Sequence, residues 1–125
     1  MKLKTVLIVD DQESICNLVK ASLENLWPTL KVSTCPDSRR ALEKIKSTLP
    51  NLVILDVQMP DVSGADIAQA MKESPDTKSI PVIFLTGILT PEEARDRSGR
   101  IGGEHFVAKP INFGELAATV EKYIQ

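Results

Sequence analysis

Four short apolar runs in this 125-residue chain each stop on a polar or charged residue. Residues 6–9 run into Asp10 and Asp11, residues 53–55 into Asp56, residues 82–85 into Thr86, and residues 106–108 into Lys109. Unbroken Val, Ile and Leu mark strands covered on both faces, as in parallel sheets. A carboxylate directly after such a strand costs free energy unless something pairs with it. The repetition therefore predicts four strand ends that share one polar site.

The segments between the runs have helical period. Ile15, Leu18, Val19, Leu23 and Leu26 recur at helical spacing, and Trp27-Pro28 closes that helix. Residues 30–35 alternate weakly and read as a more exposed strand. Asp37 is placed to cap a helix that buries Ala41, Leu42 and Ile45 and ends before Pro50. A third helix begins near Ser63 and contains Ile67, Ala68 and Met71, while Pro75 and Pro81 bracket the loop to the fourth strand. Thr90-Pro91-Glu92-Glu93 reads as a helix start, broken later by Gly99, Gly102 and Gly103. Asn112 caps a last helix whose inner face includes Leu116, Val120, Tyr123 and Ile124.

Five strands alternating with five helices predict an α/β fold with one domain over residues 1–125. The expected architecture is a doubly wound, five-stranded parallel sheet in the flavodoxin-like order 2-1-3-4-5, with helices on both faces. Ligands bind such sheets beyond the carboxyl ends of the strands, where the order reverses. The polar residues fall at that rim.

The net charge of −2 argues against broad attraction to nucleic acid or membrane. The basic start, Met1 to Lys4, is followed by too short an apolar run for an export signal, and no stretch is long enough to span a bilayer. Cys16 and Cys35 form no CxxC pair and read as buried free thiols in a reducing compartment. A cytoplasmic location is expected.

Asp10, Asp11 and Asp56 at one rim repel one another unless a cation intervenes. Oxygen-only ligands suit a hard ion, and a few carboxylates with several waters is the pattern of Mg²⁺, with Mn²⁺ as a substitute. Lys109 adds a positive charge, and a phosphate bridging the metal, Lys109 and the Thr86 hydroxyl would be well held. Asp56 is placed to attack phosphorus and form an acyl phosphate. Taken singly, each residue also has a plainer role: Asp10-Asp11 as a helix cap, Lys109 as a solvated loop charge, Thr86 as an ordinary strand end.

Asp10-Asp11, then Asp56-Val57-Gln58-Met59-Pro60 with Gly64, then Thr86-Gly87, then Phe106-Val107-Ala108-Lys109-Pro110 resemble the receiver domain of two-component response regulators over essentially the whole chain. The resemblance implies that Asp56 is phosphorylated by a sensor histidine kinase or a histidine phosphotransfer protein. It implies Mg²⁺ held by Asp10, Asp11, Asp56 and the main-chain carbonyl of Gln58. Thr86 and Lys109 match the residues that contact the phosphoryl group, and Phe106 matches the switch aromatic. The module is then a signalling device that promotes its own phosphorylation and dephosphorylation rather than an enzyme. Its output would pass to a downstream protein or a second copy through the fourth helix, fifth strand and fifth helix, with no direct contact to nucleic acid or membrane. The alternative is a receiver belonging to a longer regulator with a DNA-binding or enzymatic domain.

Two other classes fit less well. A haloacid dehalogenase-type phosphatase resembles Asp-x-Asp, and position 58 is Gln. A flavodoxin needs a phosphate-cradling loop after the first strand, where Asp10-Asp11-Gln12-Glu13 would repel phosphate. Further expectations are a cis Lys109-Pro110 bond, a slow loss of phosphate because Ile88 cannot orient water, and a short, mobile helix over residues 91–103 carrying Arg95, Arg97 and Arg100. His105 is expected at the surface or in an interface, facing away from Phe106.

Overall fold

In the computed structural model of the protein, residues 4–87, 100–101 and 104–124 are described. The apolar runs form β1 (Lys4–Val9), β3 (Leu52–Asp56) and β4 (Val82–Thr86), and every residue of β3 and β4 is buried. β2 (Leu30–Cys35) is only partly buried, as its edge position requires. Two further strands follow, β5 (Arg100–Ile101) and β6 (Glu104–Ala108). The sheet order is β2-β1-β3-β4-β6-β5, and its first five members are parallel. Those five reproduce the expected 2-1-3-4-5 order, with β6 as the fifth. β5 is an addition, pairing antiparallel with β6 through Arg100↔His105 and Ile101↔Glu104. Two residues between glycines carry no periodicity by which sequence would reveal a strand.

The helices are α1 (Glu13–Leu26), α2 (Ala41–Thr48), α3 (Gly64–Lys72) and α4 (Phe113–Ile124). α4 is the helix counted fifth in the sequence; the one expected from Thr90 lies outside the described residues, as do Ile88, Arg95 and Arg97. Cys16, Val19 and Leu23 of α1 and Leu116 and Val120 of α4 cover one face of the sheet, against Val6, Ile8, Leu52, Ile54, Ile83 and Leu85. Ala41 and Ile45 of α2 and Ile67, Ala68 and Met71 of α3 cover the other face. Ligands of such a sheet are therefore left only the rims.

Local signals set the helix ends. Ser63 Oγ accepts from Asp66 N–H at 3.1 Å, and Asn112 Oδ1 accepts from Glu115 N–H at 3.1 Å. Asp37 caps a single 3₁₀ turn, Ser38–Arg40, which leads directly into α2. His105 departs from expectation: it is buried, its Nδ1 hydrogen-bonded to the Tyr123 hydroxyl of α4, with the rings edge-on at 5.4 Å. It does point away from Phe106, which packs on the opposite face against Phe84.

The free edge of β2 is closed by side chains. Glu24 accepts from Val32 N–H at 2.9 Å, and Lys20, paired with Glu24 at 3.0 Å, donates to Val32 C=O at 2.7 Å. Lys44 of α2 donates to Thr34 C=O at 2.7 Å. Charged groups thus satisfy backbone sites that would otherwise template another strand. The Val32 N–H, with Lys20, holds the Glu24 carboxyl below its ordinary 4.5. A depressed carboxyl contributes stability that is complete above its unfolded pKa and is lost as pH falls through the lower folded value. Glu24→Gln should therefore lower stability by about 1 kcal/mol near neutral pH. The deficit should shrink in acid, once the pH falls through the lowered value and wild type also loses its charge. Urea midpoints at the two pH values test this; a deficit that does not depend on pH would contradict it.

Candidate functional site

The ladders continue one residue past the strands and carry the polar side chains with them. Asp10 N–H bonds to Cys35 C=O at 3.3 Å, Val57 N–H to Leu85 C=O at 2.9 Å, and Lys109 N–H to Thr86 C=O at 2.8 Å. The rim is therefore as well placed as the sheet itself. Lys109 Nζ lies 2.9 Å from Asp10 Oδ2 and 3.3 Å from Asp56 Oδ2, with Asp10 fully buried and Asp56 nearly so. Asp11 is exposed, and one oxygen from each of Asp10, Asp11 and Asp56 lies within 4.8 Å of the others. Asp10 Oδ1 also accepts from Gln12 N–H at 2.9 Å, and Asp56 Oδ1 from Gln58 N–H at 3.3 Å. Thr86 is buried beside them on β4, in register with Ala108. The Lys109-Pro110 peptide bond is cis.

Burial, then the Asp10 charge, pushes the Asp56 carboxyl above its ordinary range, and Lys109 only partly offsets this. For Lys109 burial works against the charge, yet Asp10 and Asp56 outweigh it and hold the ammonium above its ordinary value. One ammonium against three carboxylates leaves two surplus negative charges. A hard dication matches that surplus and this all-oxygen donor set. Mg²⁺–oxygen bonds of about 2.1 Å let two ligand oxygens span at most about 4.2 Å, so a small side-chain contraction brings all three to one ion. The residues fit the ion. Cys16 is not part of this chemistry: burial raises its thiol to about 11, and it only donates to Asp10 C=O.

After Asp56 the chain makes a closed loop. Gly64 N–H bonds to Val57 C=O at 3.0 Å, and a Cβ on Gly64 would sit 2.2 Å from the Asp56 carbonyl oxygen, so only glycine fits. At the far side of the loop, Val62 N–H bonds to Pro60 C=O at 2.8 Å around Asp61, whose φ is 71°. That is a γ-turn with a positive central φ, an uncommon conformation for aspartate. Ser38, which sequence reading passed over, reaches this turn from the β2–α2 junction: its Oγ donates to Pro60 C=O at 2.7 Å. No local signal announces it, because its partner is 22 residues away.

The family model for the response regulator receiver domain matches residues 6–121. A probable cyclic di-GMP phosphodiesterase of Vibrio cholerae is 31% identical over 97% of this chain, which spans only 26% of that protein's length. The polar-differentiation response regulator DivK of Brucella anthropi is 29% identical over 97% of this chain and 96% of its own. Among solved structures, the chemotaxis protein CheY4 of Vibrio cholerae aligns with a TM-score of 0.81 at 28% identity, covering 98% of this chain and all of that one.

The raised Asp56 carboxyl has a consequence for stability. A carboxyl raised on folding binds its proton more tightly in the native state, so its ionised form costs stability above the folded pKa and the cost is relieved as pH falls through it. Asp56→Asn, measured in a chelator, should raise the thermal midpoint by about 3 °C near neutral pH, or about 1 kcal/mol. The gain should diminish in acid. A midpoint lowered at every pH would show that Asp56 stabilises the metal-free fold instead.

Proposed function

We propose phosphoryl transfer to Asp56 as the chemistry of this chain, which belongs to the response regulator receiver domain family and is a module of two-component signalling. The observation that carries the proposal is the buried Asp56 carboxylate, paired with a Lys109 ammonium that also contacts Asp10, at the open end of the sheet. The phosphoryl donor is a phosphohistidine of a sensor kinase or phosphotransfer protein. An Asp56 carboxylate oxygen attacks phosphorus, the bond from phosphorus to the imidazole nitrogen breaks, and the electron pair leaves with that nitrogen. Asp10, Asp11, Asp56 and the main-chain carbonyl of Gln58 would hold Mg²⁺, which supplies positive charge to the phosphoryl oxygens when bound. Lys109 pairs with a phosphoryl oxygen, and the Thr86 hydroxyl donates to another.

Phosphorylation then acts on Thr86 and Phe106. Movement of Thr86 toward the phosphoryl group vacates space on its own face of the sheet, which an aromatic on the neighbouring strand can fill. Phe106, half-buried and stacked on Phe84 at 5.0 Å between ring centroids, is placed for that response and needs no hydrogen-bond partner. The altered surface includes β6 and α4 and engages a downstream protein or a second copy. The alternative output is a linked enzymatic domain, such as the phosphodiesterase activity in the name of the first relative.

Acetyl phosphate with Mg²⁺ should add one phosphoryl group by intact mass, and chelation should abolish uptake. Asp56→Asn should take up none; uptake at the wild-type rate would overturn the assignment. Binding of a beryllofluoride phosphate mimic should shift the Phe106 ring resonances in wild type and leave them nearly unmoved in Thr86→Ala. Equal shifts in both proteins would remove Thr86 from the switch.

A further inference from the structure

The loop that follows Asp56 is fixed at both ends. Its base is tied by Gly64 N–H to Val57 C=O and by the Cβ-free approach of Gly64 to the Asp56 carbonyl. Its tip is the γ-turn at Asp61, a backbone form that a non-glycine residue leaves readily unless its surroundings hold it. Gln58 and Met59 lie between these two anchors. The main-chain carbonyl of Gln58 therefore takes its position from both.

The tip is held from the junction of β2 and α2. Ser38 is buried, and its hydroxyl donates to Pro60 C=O at 2.7 Å while receiving Val62 N–H at 3.4 Å, so one side chain bridges both ends of the turn. Arg39 adds a looser contact, with Nε 3.1 Å from Asp37 Oδ1 and 3.8 Å from Asp61 Oδ2. The arginine is well exposed, so the directed hold comes from the serine. At the start of this turn the capping acceptor is the Asp37 carboxylate, which leaves the Ser38 hydroxyl to the loop.

We infer that Ser38 is a positioning residue for the acid site: by holding the γ-turn at Asp61 it sets the Gln58 carbonyl against Asp10, Asp11 and Asp56. The inference rests on the reading of those residues as the Mg²⁺ site. It differs from a merely structural role because it acts on the affinity of the folded protein for the ion. Groups that orient metal ligands without touching the metal typically change affinity 10- to 100-fold when removed. A single hydrogen bond to a main-chain carbonyl belongs at the lower end.

The test is calorimetric titration of the unphosphorylated full chain with MgCl₂, alongside thermal melts in a chelator. Ser38→Ala should weaken Mg²⁺ binding about tenfold, and Ser38→Thr, which keeps the hydroxyl, should restore most of it. If Ser38→Ala does not fold, Ser38→Cys, of similar shape and with a much weaker donor, takes its place and should show the same loss. A variant with a lower melting midpoint and unchanged Mg²⁺ affinity would overturn the inference. Asp10→Asn separates the two readings. Wild-type binding that does not depend on Asp10 overturns the metal site itself and the role of Ser38 with it. Binding that depends on Asp10 but is unchanged in the Ser38 variants overturns the role of Ser38 alone.

Discussion

The ammonium of Lys109, set between Asp10 and Asp56, is the contact on which the rim of this sheet depends. It joins residues 99 positions apart and forms only when β1, β3 and β6 stand at their native places. Two carboxylates buried this deeply would otherwise face each other with little solvent to screen them. The flanking apolar strands make the arrangement affordable, since their burial on both faces supplies the rigidity that holds the three charges in contact. Removal of the lysine would leave buried charge unpaired, which costs far more than the pair itself contributes. The site is thus a consequence of the completed fold and has no local precursor.

Alternation along the strands divides the functional residues between the two faces. Asp10 continues the row of Val6 and Ile8, Asp56 that of Leu52 and Ile54, and Lys109 that of Val107, all on the face covered by α1 and α4. Thr86 continues the row of Val82 and Phe84, on the face where Phe106 packs. Asp56 and the pair Thr86 and Phe106 are therefore on opposite faces of the sheet. The position just after β4 on the same row as Asp10 and Asp56 is Gly87, where a Cβ would have met nothing within 4 Å.

The strands and most helix ends were legible because they depend on local pattern. Runs such as residues 52–55 and caps such as Ser63 and Asn112 carry their meaning within a few positions. The rim was legible for a different reason: polar residues at the ends of buried strands are anomalies, and the sheet order brings anomalies together. Contacts between elements distant in sequence left no such mark. Ser38 looks like one more polar residue after Asp37, and only the fold places it on Pro60. His105 was expected at the surface, yet Tyr123 supplies a polar partner from α4 and allows the imidazole to be buried. Asp61 gives no sequence sign of its positive φ, since aspartate is also an ordinary turn residue.

The same electrostatics connect stability with signalling. Two surplus negative charges at the rim cost stability, and that surplus is what a dication would neutralise. A rim neutralised by a second lysine would be more stable and would bind a dication less well, an instance of stability traded against function. The cost is tolerable because it is confined to one end of the sheet, where the strands are already held by two cores and a continuous ladder. Ligands that bind only the native rim stabilise the fold in proportion to their affinity.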